Sequence, residues 1–136
     1  MTRKEAREQA FILLFEQTFQ PDKPMAEIWD DAAEVRDFET SGFVRRLVFG
    51  TESRREEADR LIEENLKGWS IRRISRVALA VLRLSVYEIC FEPETPLGVA
   101  INEAVELAKK YAGEKDAAYI NGVLSSIAKS REEDHV

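Results

Sequence analysis

Apolar positions along the chain recur at steps of three and four, the spacing that lines one face of a helix. From Arg3 to Gln20 there is no glycine or proline, and Ala6, Ala10, Leu13 and Leu14 fall at that spacing before Pro21 and Pro24 end the run, which predicts a first helix. A second, weaker helix is predicted over Met25–Val35, where Ile28, Trp29 and Ala32 are the buried candidates, followed by a connection from Asp37 to Ser41. Phe43, Val44, Leu47 and Val48 form the next stripe, and Ala58, Leu61, Ile62 and Leu66 resume it beyond Gly50 and the polar stretch Thr51 to Glu57, so a helix is expected on each side of that stretch.

Gly68 closes this run and Ser70 is placed to cap a following turn. Ile74 to Phe91 is apolar on nearly every face, as expected of a central helix surrounded by others. Pro93 stops it, and Thr95 followed by Pro96 reads as the N-cap and first helical residue of the next, because proline's missing N–H is not needed there. Ile101, Ala104, Val105, Ala108 and Tyr111 then repeat up to Gly113, and a final helix carries Ile120, Val123, Leu124 and Ile127. No alternating stretch competes as a strand, so the fold expected is all-α: one domain over residues 1–130 and a charged, frayed tail over 131–136.

A chain of 136 residues, 44% hydrophobic and 34% charged, suits one globular domain that needs no disulfide or metal to hold its core. The longest apolar windows are interrupted by arginines, so no membrane span and a cytoplasmic location are expected. Cys90 is the single cysteine and His135 the single histidine, which removes a disulfide framework and a nucleophile–base pair; Cys90 reads as a buried small hydrophobe. Glycine-rich phosphate loops and metal-ligand clusters are missing from the sequence, and the acid pairs Glu56–Glu57 and Glu103–Glu106 read as solvated helix faces, so no enzyme, cofactor or metal is expected.

The net charge of −6 excludes a protein that coats nucleic acid indiscriminately, since such affinity scales with the phosphates that lysine and arginine neutralise. The charge is uneven, however. Between Asn65 and Tyr87 there are Lys67, Arg72, Arg73, Arg76 and Arg83 and no acid, whereas acids crowd Glu27 to Glu39 and the C-terminal end.

In the first helix Arg3, Arg7, Phe11 and Phe15 succeed one another at four-residue steps, with Lys4 beside Arg7, making a basic-to-aromatic stripe. Guanidinium groups can fork onto phosphates and aromatic rings can stack on bases. The same spacing also serves a core face, and Glu5 and Glu8 dilute the positive field, so the pattern leaves RNA contact and core packing both open. Lys109, Lys110 and Tyr111, with Lys115 and Tyr119 after them, again set cations near aromatics, and Asn121–Gly122 are poor mid-helix residues, explained either by close helix packing or by RNA contact.

Three segments carry a family likeness: Ala6-Arg7-Glu8-Gln9-Ala10; Val81-Leu82-Arg83-Leu84 running into Tyr87-Glu88; and VAINEAVELAKKYA from Val99 to Ala112 followed by YINGVL from Tyr119 to Leu124. In this order and spacing the chain resembles the NusB family of bacterial antitermination factors over nearly its whole length. The resemblance implies about seven helices in two packed subdomains, with the basic first helix meeting the boxA element of ribosomal-RNA leaders. It further implies a ribosomal-protein partner, NusE, whose heterodimer with the factor binds RNA better than either alone, and action with NusA and NusG on RNA polymerase. Some members are homodimers that would cover the basic helix.

Carried over by resemblance, Arg3, Lys4 and Arg7 would neutralise phosphates, and Phe15 stands where a tyrosine is common. Tyr111, Lys115, Asp116, Tyr119 and Asn121 fall in the second RNA-facing segment, with Tyr119 as a stacking ring, Lys115 on phosphate and Asn121 on a base edge or local backbone. Arg83 and Glu88 are assigned to the NusE side. Glu5 stands where a basic residue is frequent and Lys115 where an acid can occur. Two other readings compete: the RNA-binding domain of RsmB-type ribosomal-RNA cytosine methyltransferases, whose catalytic cysteine motif and cofactor loop are not in this sequence, and a helical adaptor that binds protein through Trp29, Trp69 or Phe91.

Overall fold

The computed structural model describes residues 1–35, 40–67 and 70–134, and every regular element among them is helical. The helices are α1 (Arg3–Phe19), α2 (Met25–Val35), α3 (Gly42–Ser53), α4 (Arg55–Glu64), α5 (Arg76–Phe91), α6 (Leu97–Tyr111) and α7 (Glu114–Asp134), with a 3-10 turn over Ile71–Arg73. Most of the expected connection after α2, together with Gly68, Trp69 and His135, lies outside the described residues.

Local chemistry sets the helix ends. Thr2 and Glu5 form a capping box: the Glu5 N–H donates to Thr2 Oγ1 at 3.1 Å and the Thr2 N–H donates to the Glu5 carboxylate at 2.9 Å. Glu5 therefore fixes the start of α1, and those two bonds hold its carboxyl below the usual range. Ser41 caps α3 through the Val44 N–H, and Ser75 caps α5 through the Ala78 N–H. The central helix thus starts two residues later than expected, after the 3-10 turn.

The α6 N-cap is Pro96, not Thr95, because Pro96 keeps an extended ψ of 141° while its carbonyl already accepts from the Val99 and Ala100 N–H groups. The polar stretch from Thr51 is helical apart from a break at Arg54. Gly113, at φ +127°, gives the turn from α6 into α7, and α7 continues through Arg131 to Asp134, into the stretch expected to be a frayed tail.

Helix α5 packs against α1, α3, α4, α6 and α7, so it is the axis around which an N-terminal group (α1–α3) and a C-terminal group (α4, α6 and α7) meet. Phe11, Leu13, Met25, Leu47, Ile62, Leu82, Leu84, Ile120, Leu124 and Ile127 are fully enclosed in one continuous core. No helix among the described residues is long and apolar enough to cross a membrane.

Candidate nucleic-acid interface

Helix α1 turns its four-residue stripe partly inward. Arg3 and Lys4 are exposed at its start, but Arg7 is 6% exposed and Phe11 1%. The Arg7 guanidinium forks onto Glu88, with Nε 3.0 Å from both carboxylate oxygens and Nη2 2.6 Å from one of them. Glu88, assigned by resemblance to the partner face, is itself only 2% exposed, so this pair clamps α1 to α5 inside the fold. Arg3 lies with its guanidinium 3.9 Å from the centre of the Phe43 ring.

The start of α1 and the end of α6 are tied together by Glu8. Its carboxylate accepts from Lys110 Nζ at 2.7 Å and from the Tyr111 hydroxyl at 2.6 Å, and these bonds hold its pKa below the usual range. The Tyr111 ring sits 4.8 Å from Phe11, and Phe11 stacks on Phe15 at 5.8 Å. Tyr111 is 37% exposed, yet enclosure of its hydroxyl end, followed by the Glu8 carboxylate, pushes its pKa up to about 12. Glu8, which reads in sequence as diluting the positive field, instead ties α1 to Lys110 and Tyr111 at the end of α6, whereas Tyr119 faces a cleft with Asn65 and Lys67.

On α7, Lys115 and Asn121 are exposed, and the Asp116 carboxylate accepts from Ser75 Oγ at 3.2 Å, linking the starts of α7 and α5. Tyr119 is half-buried. Its enclosed hydroxyl meets no hydrogen-bonding partner among the described residues, and burial raises its pKa. It lines an open cleft of about 310 Å³ with Asn65, Lys67, Gly122 and Ser126. A methyl group built on Gly122 meets nothing within 4 Å, so close helix packing is not what that glycine is for.

Gly50 is the glycine that packing demands, with the Tyr87 ring 2.4 Å from where its Cβ would stand. Arg83 forks onto Asp59, with Nε and Nη2 at 2.7 and 2.8 Å, and is half-buried. Trp29 is buried and so is not a docking residue, while Phe91 is half-buried beneath the Arg54 guanidinium. Cys90 is half-buried rather than fully enclosed, and burial raises its thiol pKa.

Sequence reasoning missed the Arg7–Glu88 clamp, whose halves lie 81 residues apart, and the aromatic end of α1 at Phe19, which is 57% exposed. It also missed the capping box at Thr2, although threonine with glutamate three residues on is a readable signal.

Comparison with known proteins places this geometry in a family. Residues 4–129 match the NusB family. The transcription antitermination protein NusB of Clostridium botulinum (strain Loch Maree / Type A3) is 40% identical over 141 residues, covering 93% of this chain and 99% of that protein. The NusB of Clostridium novyi (strain NT) is 39% identical, covering 96% of this chain and 100% of the relative. The solved structure of T. maritima NusB superposes with a TM-score of 0.85 at 33% identity, covering 100% and 99% of the two chains. A NusB chain in a crystal structure of antitermination factors NusB and NusE with double-stranded RNA gives 0.84 at 33% identity, covering 94% and 96%. With near-complete coverage in both sequence and structure, this chain belongs to the NusB family.

Proposed function

We propose that this chain is an RNA-binding antitermination factor that grips a single-stranded boxA-type element beside a NusE-type ribosomal protein, and so helps RNA polymerase read through terminators together with NusA and NusG. The observation that carries the reading is the Glu8 bridge to Lys110 and Tyr111, which ties the basic start of α1 to the start of the second segment about a hundred residues away. A structural neighbour that contains NusB and NusE with double-stranded RNA supports the pairing of RNA with a NusE-type partner. The role is one of binding, not catalysis.

Within this reading Arg3, Lys4 and Lys115 meet phosphates, Phe15, Tyr111 and Tyr119 offer rings, and Asn121 and Asp116 offer polar edges. Arg7 is a positioning residue that sets α1 on α5 through Glu88. The NusE side lies along α5 near Arg83, held by Asp59, with Glu88 acting from within.

The test is fluorescence anisotropy of a labelled boxA-like RNA against a scrambled strand, with this protein alone and with its NusE counterpart. Preferential binding strengthened by the partner is expected, with a log–log salt slope of about −2 for three phosphates on a single strand. Arg3→Glu with Lys4→Glu should remove most of that slope. Equal, partner-independent binding to both strands, or unchanged affinity in the folded double variant, would overturn the reading.

A further inference from the structure

The acid-free basic stretch between Asn65 and Tyr87 is only partly used by the fold. Arg83 is taken by Asp59, but Arg72 and Arg73, in the 3-10 turn, are exposed and have no acidic partner among the described residues. Arg76 has a different task. Its Nη1 donates to the Thr18 carbonyl near the end of α1, which holds the guanidinium 4.6 Å from the centre of the Phe19 ring.

Phe19 is the last residue of α1, 57% exposed, and meets Phe15 edge-on at 5.2 Å. Rings therefore follow one another from Tyr111 through Phe11 and Phe15 to Phe19, at centroid separations of 4.8, 5.8 and 5.2 Å. The Ser75–Asp116 bond brings Lys115, at the start of α7, alongside the residue that precedes Arg76.

We propose that the RNA track does not stop at Phe15 but continues to the far end of α1, where Phe19 and the plane of Arg76 stack one further base and Arg72 and Arg73 take the adjoining phosphates. The proposal rests on the RNA-binding reading above. A lone exposed phenylalanine carries no message. Here, though, the ring is paired with a guanidinium pinned by a backbone carbonyl, so the plane is pre-organised, and exposed Arg72 and Arg73 precede that guanidinium by four and three residues, a combination that single-stranded nucleic acid rewards.

The experiment compares a core boxA-like strand with the same strand lengthened by a few nucleotides at either end, binding by anisotropy to the full chain, to Phe19→Ala, to Phe19→Trp and to Arg72→Gln with Arg73→Gln, each checked for its fold by circular dichroism. The parent should bind one lengthened strand about fivefold or more tighter than the core strand. Phe19→Ala should erase that gain while core affinity stays, Phe19→Trp should keep it, and the double glutamine variant should flatten the salt slope for the lengthened strand by about 1.4. A gain that survives Phe19→Ala and the double variant, or no gain in the parent, overturns the extended track and leaves the RNA reading standing. No binding of either strand by the parent overturns the RNA reading and the track with it. Weakened binding of a NusE-type protein by Phe19→Ala, with the RNA gain intact, assigns the patch to protein instead.

Discussion

Replacing Glu88 by glutamine is a small change in shape with a large expected cost. The glutamate is enclosed, its side chain 3% exposed, and both its oxygens are engaged by Arg7, whose side chain is 7% exposed. Glutamine keeps the shape and one acceptor but leaves a guanidinium buried with no counter-charge. Removing one partner of a buried pair costs about 3–5 kcal/mol, against a total stability of about 5–15 kcal/mol. For a domain of this length that is a fall in Tm of about 10–20 °C.

Urea unfolding followed by circular dichroism should show a lower midpoint at unchanged slope. Arg7→Met combined with Glu88→Leu should recover most of the loss, because a well-packed apolar pair avoids the desolvation that the ions incur. A cost below about 1 kcal/mol for Glu88→Gln, or a double variant no better than the single, would refute the clamp. The result also decides how RNA contact can be tested. Arg7→Glu would set two carboxylates against each other inside the fold, so its loss of binding would report unfolding, whereas Arg3 and Lys4 can be reversed at the surface.

Gly50→Ala should destabilise by about 1–3 kcal/mol in chemical denaturation, since its Cβ would stand 2.4 Å from the Tyr87 ring. Gly122→Ala should do the opposite, stabilising by about 0.5–1 kcal/mol in the same assay, because that helical position is open; an accompanying loss of RNA affinity would show that the ligand needs the space. The Tyr111 phenol is raised from 10.0 to about 12, so the folded state favours its protonated form. Its contribution is fully present below pH 10 and lost as pH rises towards 12, a window that ultraviolet titration alongside unfolding should show and Tyr111→Phe should flatten.

Much of the fold was legible because prolines and apolar spacing speak locally. Pro21 and Pro24 end α1, Met25–Val35 is helical over the predicted range, and the unbroken apolar character of the fifth helix identifies the axis. The polar stretch from Thr51 reads as a break because it lacks an apolar stripe. Yet arginine and glutamate are good helix formers, and only Arg54 leaves helical geometry. The site was less legible, because a four-residue step says which side chains share a face and nothing about where that face points. In sequence Arg7 groups with Arg3 and Lys4, and only the distant Glu88 turns it inward; Glu8 reads as a diluting charge, and only distant Tyr111 and Lys110 show it to be a bridge.

Each buried pair removes one cation and one anion together, so the net charge of −6 stays on the rest of the chain and any basic patch must be local. An arginine enclosed in an ion pair adds almost nothing to the field outside, so Arg7 with Glu88 and Arg83 with Asp59 belong to the architecture. Arg3, Lys4, Lys115, Arg72 and Arg73 form no ion pair within 4 Å among the described residues, although Lys4 shares a cleft with Glu8, Glu103 and Glu106; Glu8 joins α1 to α6, Arg76 joins α5 to the end of α1, and Ser75 joins α5 to α7. Affinity for a strand depends on the cations that remain free and on the order in which the fold sets them beside exposed rings, not on the sum over the chain. A modest number of such contacts would give binding that salt and partner can tune, as the proposed role requires.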